Sequence, residues 1–311
     1  MTVRTIGAIE VSLAGLGCNN FGWRVDEAGA KAVIEAALDA GVTTFDTADN
    51  YGDGLSEEFL GRALAGRRDQ VVIATKFGGF RSDLGREAGA APAYVREAAE
   101  ASLRRLSTDR IDVLQLHSPD VSTPIADTLG ALGDLVRAGK VREIGCSNVT
   151  AAQLEEAARA AAAIGGPGFA SVQNEYSVVA REAEADVLPA CEGLGLSLMP
   201  YWPLASGLLT GKYRRGRPAP AGARLAAPDA EEDDLRDAPF DAIERLEVFA
   251  ADRGHTLLEL ALSWLAARPA VSSVIAGATT PEQVRANTAA VAAWDLSPED
   301  LAEIDRLAPP A

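Results

Sequence analysis

The sequence predicts an α/β protein of the (β/α)8 TIM barrel class, with an N-terminal β-hairpin before the barrel and extra helices outside it. Short apolar segments rich in β-branched residues alternate with longer segments of helical periodicity, which is the pattern of parallel strands joined by helices. Eight such alternations occur without a change in composition, and this favours a closed barrel over an open doubly wound sheet. We therefore expect residues 1–311 to form a single domain.

The predicted strands begin with a short hairpin over residues 3–11, with Gly7 near its turn. Eight short apolar segments follow, and each has the length of a typical strand. In chain order they cover residues 13–17, 43–46, 71–76, 111–117, 141–147, 170–173, 197–201 and 271–276.

The predicted helices lie between these strands and carry capping signals. Glycine follows two of them, as it commonly does at helix C-termini, and Pro92 suits the first turn of a third. Thr150 and Gln153 form the capping-box pattern of a fourth. These four helices cover residues 27–40, 92–106, 125–138 and 150–163.

The segment 205–240 interrupts the alternation. It is rich in glycine and proline, first basic and then acidic, and much longer than the usual connection of a few residues. A loop of this length at the catalytic face of a barrel usually acts as a lid or binding loop. The alternative, a solvated surface insertion, is plausible for the charged stretch 229–237. Beyond it, helical patterns cover residues 240–251, 256–267 and 297–307, the last of them outside the barrel.

The composition limits the classes of partner. The chain has 29 basic and 45 acidic side chains and a net charge of −16, which argues against nucleic acid and against anionic membrane surfaces. Three widely spaced cysteines, Cys18, Cys146 and Cys191, support neither a disulfide framework nor a zinc site. No segment has the pattern of an export signal or reaches the roughly 18 apolar residues of a membrane span. We expect a cytoplasmic protein without a metal, a monomer or small homo-oligomer that acts on a small molecule.

Four chemically active side chains lie at or just beyond the C-terminal ends of three successive predicted strands. Asp46, Lys76 and His117 end the second, third and fourth barrel strands, and Tyr51 follows Asp46 closely. Barrel enzymes carry their chemistry at this end. Each residue alone also has a structural explanation, as a turn cap, a packed ring, a solvated rim charge or a core histidine.

Taken together, the four residues suit acid–base catalysis. A carboxylate and an ammonium at the ends of apolar strands are costly to bury apart, so we expect an ion pair between Asp46 and Lys76. Bringing the pKa of a phenol from about 10 towards 7 requires about 4 kcal/mol. One ammonium about 4 Å away supplies this only at an effective dielectric near 20, not in bulk water. Tyr51 is therefore a candidate general acid in a partly dry pocket.

Six sequence strings, in register with the strand count, resemble the aldo-keto reductase family. They are FDTADNYG, ATKFGG, LQLHSPD, GKVREIGCSN, QNEYS and MPYWPLASGLLTGKY, and the resemblance extends from the hairpin to about Asn287. It implies that Asp46, Tyr51, Lys76 and His117 form a catalytic tetrad. In that tetrad Tyr51 donates a proton and Lys76 lowers its pKa. Asp46 holds Lys76, and His117 orients the substrate carbonyl.

A nicotinamide cofactor is required, because this tetrad contains no redox group. The resemblance implies that Ser147, Asn148 and Gln173 hold the nicotinamide amide, for which their hydroxyl and amide groups have the right donor and acceptor character. It also implies that Tyr201 stacks on the ring. The other positions that match the cofactor-binding set are Trp202, which departs from the usual small residue, Pro203, Leu204, Ala205, Ser206, Lys212, Arg224, Gly277, Thr279, Gln283 and Asn287.

The choice of nucleotide depends on the last predicted strand and the helix after it. Residues 277–280 precede a helix that begins near Pro281, and helix N-termini favour phosphate. Many members of the resembling family carry lysine in place of Gly277 and arginine in place of Gln283, which leaves NAD(H) open. Bacterial members and potassium-channel β subunits resemble this chain at both positions and use NADP(H). We expect NADP(H), with NAD(H) as the alternative, and a positive patch for the dinucleotide that includes the basic run 214–217.

The predicted function is the reversible reduction of an aldehyde or ketone to the alcohol, with direct hydride transfer from NAD(P)H. Two other hypotheses stay open. One is a cofactor-binding, redox-sensing regulatory protein with little turnover. The other is an aldolase-like barrel with Lys76 as Schiff-base nucleophile, which leaves Tyr51 and the amide side chains unexplained. The expected substrate walls are Asn19, Asn20, Phe21, Trp23, Phe80, residues 118–120 and Trp202.

Overall fold

One curved parallel sheet organises the described part of the chain, which covers residues 3–81, 86–87, 89–227 and 235–310 of a computed structural model. Before the sheet, β1 (Val3–Ile6) and β2 (Ile9–Ser12) form the predicted hairpin. The remaining strands are β3 (Ala14–Gly17), β4 (Thr44–Asp46), β5 (Val72–Phe77), β6 (Phe80–Arg81), β7 (Arg86–Glu87), β8 (Ile111–Leu116), β9 (Val141–Ser147), β10 (Ser171–Gln173), β11 (Ser197–Leu198) and β12 (Val274–Gly277).

The sheet closes into a barrel. Its strand order is β11-β10-β9-β8-β5-β4-β3-β12, and every neighbouring pair is parallel. A further parallel bridge joins Leu198 of β11 to Val271, just before β12. At this seam the Leu198 amide donates to the Ala270 carbonyl at 2.7 Å, and the Ser272 amide donates to the Leu198 carbonyl at 2.9 Å. The predicted (β/α)8 barrel with its N-terminal hairpin is therefore supported, and the predicted strands occur in the predicted order.

Two differences from the predicted strands have simple causes. The predicted strand 197–201 ends at Leu198, because Pro200 has no amide hydrogen to donate to a neighbouring strand. The antiparallel pair β6 and β7 was not predicted, because strands of two residues are too short to show an alternating pattern.

The helices include all those that the sequence predicts, with ends that agree within two residues. Thr150 forms the predicted capping box with Gln153, and Pro92 occupies the first turn of its helix. Of the helices given below for the described residues, two were not predicted, and one of them contains Pro189 and Gly193, which lower helix propensity. In the described residues the helices are α1 (Glu27–Asp39), α2 (Leu55–Ala63), α3 (Pro92–Arg105), α4 (Ile125–Arg137), α5 (Ala151–Ile164), α6 (Val187–Leu194), α7 (Phe240–Asp252), α8 (Leu257–Ala266), α9 (Pro281–Ala290) and α10 (Pro298–Leu307).

The helices α7 and α10 are the extra ones, because neither follows a strand in the eightfold repeat, and they pack against each other.

Part of the predicted lid segment 205–240 is described. It contains a short 3-10 segment at Ala205–Thr210, and further along the Leu225 amide donates to the buried Tyr213 hydroxyl at 3.1 Å. Most of the stretch 229–237 lies outside the described residues. Among those described, no helix combines the length and the apolar character needed to cross a membrane.

The hairpin covers the N-terminal end of the barrel. Ile6, Ile9 and Val11 form a buried cluster with residues at the beginnings of the barrel strands, such as Val72 and Val113. The apolar contact removes these side chains from water, which stabilises the closed end. The opposite, C-terminal end remains as the face on which the loops can build a site.

Candidate active site

The C-terminal end of the barrel brings the four predicted catalytic residues together. Asp46 ends β4, Lys76 lies near the end of β5, His117 follows β8, and Tyr51 begins the short turn after β4. Lys76 Nζ donates to Asp46 Oδ2 at 2.7 Å and contacts the Tyr51 hydroxyl at 3.3 Å. The rings of Tyr51 and His117 meet edge to face, with centroids 5.9 Å apart. The expected Asp46–Lys76 ion pair is therefore present, and it reaches the phenol.

Two glycines allow this arrangement. Gly52, next to Tyr51, has φ +57°, and a Cβ there would lie 2.7 Å from the Phe21 carbonyl oxygen. A Cβ on Gly79 would lie 2.7 Å from His117 Nδ1. A side chain on Gly79 would displace His117, and a side chain on Gly52 would clash with the Phe21 backbone beside the turn that carries Tyr51, so both positions favour glycine.

The electrostatics keep Lys76 charged and Tyr51 neutral. Burial opposes the charge on Lys76, but the Asp46 carboxylate and the Tyr51 hydroxyl together raise the pKa of Lys76 above its ordinary value. Burial raises the pKa of Tyr51 above that of a free phenol, while the Lys76 ammonium acts in the opposite direction. The sequence correctly predicts the direction of the Lys76 effect, but the expected net lowering of the Tyr51 pKa is wrong, because desolvation of the phenolate is the larger contribution.

His117 is a neutral imidazole in this site. Burial, and to a lesser extent the Lys76 ammonium, lower the pKa of His117 to about 3. At neutral pH the ring therefore carries no charge and can donate one hydrogen bond. A charged Lys76, a neutral Tyr51 and a neutral His117 together provide one proton donor of the phenol type and one uncharged hydrogen-bonding group.

A chain of hydrogen bonds connects the predicted amide-binding residues to one another. Ser147 Oγ donates to the Gln173 carbonyl at 2.6 Å, and Asn148 Nδ2 donates to Ser147 Oγ at 3.1 Å and to the His117 carbonyl at 2.9 Å. The Tyr201 hydroxyl donates to Asn148 Oδ1 at 2.8 Å. The carboxyl ends of β8, β9 and β10 and the segment after β11 thus form one polar wall.

The second oxygen of Asp46 has partners that the sequence did not indicate. Gln173 Nε2 donates to Asp46 Oδ1 at 2.9 Å, and Gln115 Nε2 donates to the same oxygen at 3.3 Å. Gln115 was missed, although a signal for it exists. It precedes His117 by two residues on a strand whose side chains alternate between faces, so it points to the same side of the sheet.

The tetrad opens into a cleft of about 650 Å³. Among the described residues, two predicted site residues do not line the cleft: Lys76 and Ala205. Lys76 is fully buried behind Tyr51. The predicted residues that do line it are Asp46, Tyr51, His117, Ser147, Asn148, Gln173, Tyr201, Trp202, Pro203, Leu204, Ser206, Lys212, Arg224, Gly277, Thr279, Gln283 and Asn287.

The residues expected to form substrate walls divide into three groups. Asn19 and Asn20 line the cleft, as does Trp202, whose ring is about half exposed and meets Tyr201 edge to face. Phe21 is fully buried in the core, so its prediction as a wall is wrong. Trp23 and Phe80 are about half exposed and lie outside the cleft lining of the described residues, as does the stretch 118–120.

Three cations line another part of the cleft: Arg24, Lys212 and Arg224. Arg24 and Arg224 both stack on the Trp23 ring, at 5.7 and 5.5 Å from its centroid, and Arg24 Nη2 donates to the Gly222 carbonyl at 3.1 Å. Burial, with a further contribution from Arg24, lowers the pKa of Lys212. In a protein of charge −16, such a cluster favours an anionic ligand. Arg24 was missed because it lies some 190 residues from the other two.

The basic run at 214–217 does not contribute to this patch as predicted. Arg214 pairs with Glu247 at 3.1 Å, and Arg215 pairs with Asp241 and Glu244, so both arginines pair with α7 outside the cleft. The acidic side chains of α7 follow these arginines by about 30 residues, a separation at which sequence periodicity gives no sign of pairing.

The start of α9 forms the far end of the cleft. Thr280 caps the helix, and the Thr279 amide donates to Gln283 Oε1 at 2.8 Å. Asn287 Nδ2 donates to the Gly277 carbonyl at 3.3 Å. Backbone amides at a helix N-terminus are suited to phosphate.

The residues of the cleft fit a nicotinamide nucleotide. Asn20 Oδ1 is buried and has no hydrogen-bond partner among the described residues, so it is available to a polar ligand in the cleft, which the hydroxyl and amide groups of the polar wall also line. The three cations suit a pyrophosphate. The same described residues contain no cluster of three or more histidine, cysteine or acidic side chains that could hold a metal ion.

Comparison with known proteins agrees with this geometry. The model of the family described as "Aldo/keto reductase family" matches residues 14–309. Probable voltage-gated potassium channel β subunits of Arabidopsis thaliana and Oryza sativa subsp. japonica are 37% and 36% identical over 280 residues, covering 87% of this chain and 84% of each relative.

Two solved structures extend the comparison. An aldo-keto reductase of Bacillus halodurans in its holo form superposes with a TM-score of 0.84 at 32% identity, over 100% of this chain and 97% of that one. The glycerol dehydrogenase of Gluconobacter oxydans superposes with a TM-score of 0.84 at 29% identity, over 99% and 96%. The chain therefore belongs to the aldo/keto reductase family, a membership that supports an NAD(P)H-dependent oxidoreductase.

Proposed function

We propose that the protein reduces an aldehyde or ketone to the alcohol, reversibly, with NADPH as the preferred nucleotide and NADH as the alternative. The single observation that carries the proposal is the position of Lys76 Nζ, which lies behind the cleft lining and donates to Asp46 Oδ2 at 2.7 Å and to Tyr51 Oη at 3.3 Å. When bound, the nicotinamide supplies hydride to the carbonyl carbon or accepts it from the alcohol. The protein's own residues must then provide or remove a proton.

Tyr51 is the proton donor in this proposal. It is a neutral phenol at neutral pH, because burial raises its pKa. As the proton leaves for the carbonyl oxygen, the ammonium of Lys76 stabilises the phenolate by about 4 kcal/mol at an effective dielectric near 20. The stabilisation grows with the developing charge, so it acts on the transition state more than on the bound substrate.

Asp46 and His117 complete the proton-transfer group. Asp46 keeps the buried Lys76 charged and directed towards Tyr51. His117 is neutral, with a pKa lowered to about 3 by burial and by Lys76, so it orients the carbonyl by a hydrogen bond and does not compete as an acid.

The polar wall holds the nicotinamide amide, and Tyr201 provides a face for the ring. Ser147, Asn148 and Gln173 supply the hydroxyl and amide groups. The basic cluster of Lys212, Arg224 and the unpredicted Arg24 binds the pyrophosphate, and the far end at α9 receives the adenosine. The further residues proposed to contact the nucleotide are Trp202, Pro203, Leu204, Ala205, Ser206, Gly277, Thr279, Gln283 and Asn287.

The environment of Lys76 disfavours the aldolase hypothesis. A Schiff-base lysine needs a lowered pKa so that its amine is free to attack a carbonyl. Here the Asp46 carboxylate raises the pKa of Lys76 against the effect of burial, and the side chain is fully buried.

Three of the expectations from the sequence stay predictions. They are the single-domain organisation over residues 1–311, the cytoplasmic location and the state of a monomer or small homo-oligomer.

The test is direct. Purified protein mixed with NADPH and a panel of reactive aldehydes and ketones is expected to lose nicotinamide absorbance. Tyr51→Phe, which keeps the ring and removes the hydroxyl, is expected to abolish turnover while NADPH still binds. Wild-type turnover by Tyr51→Phe would show the mechanism to be wrong. A KM for NADH equal to or below that for NADPH would contradict the proposed nucleotide preference.

A regulatory role is the second candidate, because two similar relatives are named as probable potassium channel β subunits. A protein of this kind would bind the nucleotide tightly and turn over little. The carbonyl panel separates the two candidates. Steady turnover favours the reductase, whereas tight NADPH binding with negligible turnover, together with a stable protein partner in a pull-down, favours regulation.

A further inference from the structure

We propose that Gln115 is a positioning residue for the reaction, which acts by fixing the carboxylate of Asp46. The inference rests on the proposed function and concerns how its proton donor is held. Gln115 is fully buried inside the barrel on β8 and is not part of the cleft lining. It therefore acts on the chemistry through other side chains, without touching substrate or nucleotide.

The contacts of Asp46 define that route. Its Oδ2 accepts from Lys76 Nζ at 2.7 Å, while its Oδ1 accepts from Gln173 Nε2 at 2.9 Å and from Gln115 Nε2 at 3.3 Å. A carboxylate can turn about its Cβ–Cγ bond, and donors on both oxygens oppose that rotation. With both amides in place, Oδ2 stays towards Lys76, and Lys76 stays within reach of Tyr51.

The two glutamines differ in what else they do. Gln173 lines the cleft and belongs to the polar wall proposed to hold the nicotinamide amide. One hydrogen of its side-chain nitrogen bonds Asp46, so its second amide hydrogen and its side-chain oxygen are left to face a ligand. Gln115 has no such second task, and its Oε1 has no hydrogen-bond partner among the described residues. The hydrogen bond from Gln115 to Asp46 therefore does not depend on whether a ligand occupies the cleft.

The experiment compares the wild type with Gln115→Leu, which keeps the approximate size and removes the donor. We expect kcat for carbonyl reduction to fall about tenfold, while KM for the carbonyl and Kd for NADPH stay within twofold. The pH profile gives a second readout. Burial raises the pKa of Tyr51, and the Lys76 ammonium opposes this effect, so loosening Lys76 raises that pKa further. In alcohol oxidation, which needs the phenolate, the rising limb of kcat is expected to move to higher pH by about one pH unit.

Two further variants serve as an alternative substitution and as a control. Gln115→Glu is the second variant, for use if Gln115→Leu does not fold, and it keeps a polar side chain of the same length. Its carboxylate would lie opposite Asp46, so we expect kcat to fall further. We also expect the rising limb of the pH profile to move to higher pH. Ser171→Ala removes another fully buried polar group of the barrel interior, on β10, and is expected to keep wild-type kcat and pH profile.

The outcomes are separable. A wild-type kcat and pH limb in both Gln115 variants, a loss confined to KM or Kd, or an equal loss in Ser171→Ala would each overturn the positioning role. If the wild type reduces no carbonyl, the proposed function fails instead. The Tyr51 phenolate is then titrated by ultraviolet difference absorbance against Tyr51→Phe. An upward pKa change in the Gln115 variants supports the positioning role, and an unchanged titration overturns it.

Discussion

Two buried aspartates, one at each end of the barrel, show that burial and pairing alone do not make a charged group reactive. Asp112 lies at the start of β8, where its carboxylate accepts from Arg68 at 2.7 Å, from Arg142 at 2.8 Å and from the Ile73 amide at 2.9 Å. Asp46 lies at the opposite end of the barrel and is bonded to Lys76 and two glutamines. Both carboxylates are fully satisfied, so neither reveals a function by its own contacts.

The difference lies in what the partners of each aspartate touch. Arg68 and Arg142 are partly exposed, and a guanidinium stays charged at any physiological pH. Their pairing with Asp112 therefore ties strands and loops together and does no more. The partner of Asp46 also contacts Tyr51, a titratable group that lines a cleft. A buried ion pair becomes chemically useful when its charge reaches a proton donor that a substrate can approach.

The largest expected effect tests this difference at Lys76. Lys76→Met keeps the apolar stem and removes the ammonium, so the stabilisation of about 4 kcal/mol for the Tyr51 phenolate is lost. We expect kcat for carbonyl reduction to fall about 1,000-fold. Single-turnover mixing with NADPH and an aldehyde measures the loss, and nucleotide fluorescence verifies that NADPH still binds.

The matched control changes the other aspartate. Asp112→Asn weakens a charge-assisted network without touching the cleft. We expect it to lower the free energy of unfolding by about 2 kcal/mol, measured by urea denaturation, and to leave kcat per folded molecule within twofold. If Asp112→Asn reduced kcat as strongly as Lys76→Met, the distinction between the two ends of the barrel would be wrong.

Sequence reasoning succeeded where the information was local. The alternation of apolar and helical segments predicts the strand order, and strand ends predict the meeting of Asp46, Lys76 and His117, because parallel strands of a barrel end on one face. The capping box of Thr150 likewise depends on residues three apart.

It failed where a property depends on distant residues or on a sum of opposing effects. Arg24 joins Lys212 in the cleft only through folding, whereas Arg215, three residues from Lys212, pairs with Asp241 on a later helix. The net direction of the Tyr51 pKa depends on how far desolvation exceeds the effect of Lys76, and this requires the three-dimensional surroundings.

The second prediction concerns acid sensitivity at the cleft end. Because burial and Lys76 lower the pKa of folded His117 to about 3, from about 6.5 in the unfolded chain, the unfolded state binds an extra proton between these values. Stability is therefore lost as the pH falls from about 6.5 towards 3. We expect wild type to lose about 2 kcal/mol more than His117→Asn between about pH 6 and pH 4.

Urea denaturation at several pH values measures the free energy of unfolding of both proteins. The carboxylates contribute equally to wild type and His117→Asn, so their contribution cancels in the difference. Asp112→Asn serves as the comparison from the other end of the barrel, since it leaves His117 in place and should keep the acid sensitivity. Parallel curves for wild type and His117→Asn would show that His117 is not held neutral by its site.

The smallest expected effect applies the same comparison to two cations that lie close together in the sequence. Lys212 lines the cleft beside Arg24 and Arg224, whereas Arg215 pairs with Asp241 and Glu244 on α7. Lys212→Gln is expected to raise Kd for NADPH about tenfold, because one charge-assisted contact to phosphate is worth about 1.4 kcal/mol. Arg215→Gln is expected to leave Kd within twofold. Fluorescence titration at two salt concentrations measures both constants, and the Lys212 contribution should shrink at the higher salt. Equal losses in the two variants would mean that the exterior charges, and not those of the cleft, attract the nucleotide.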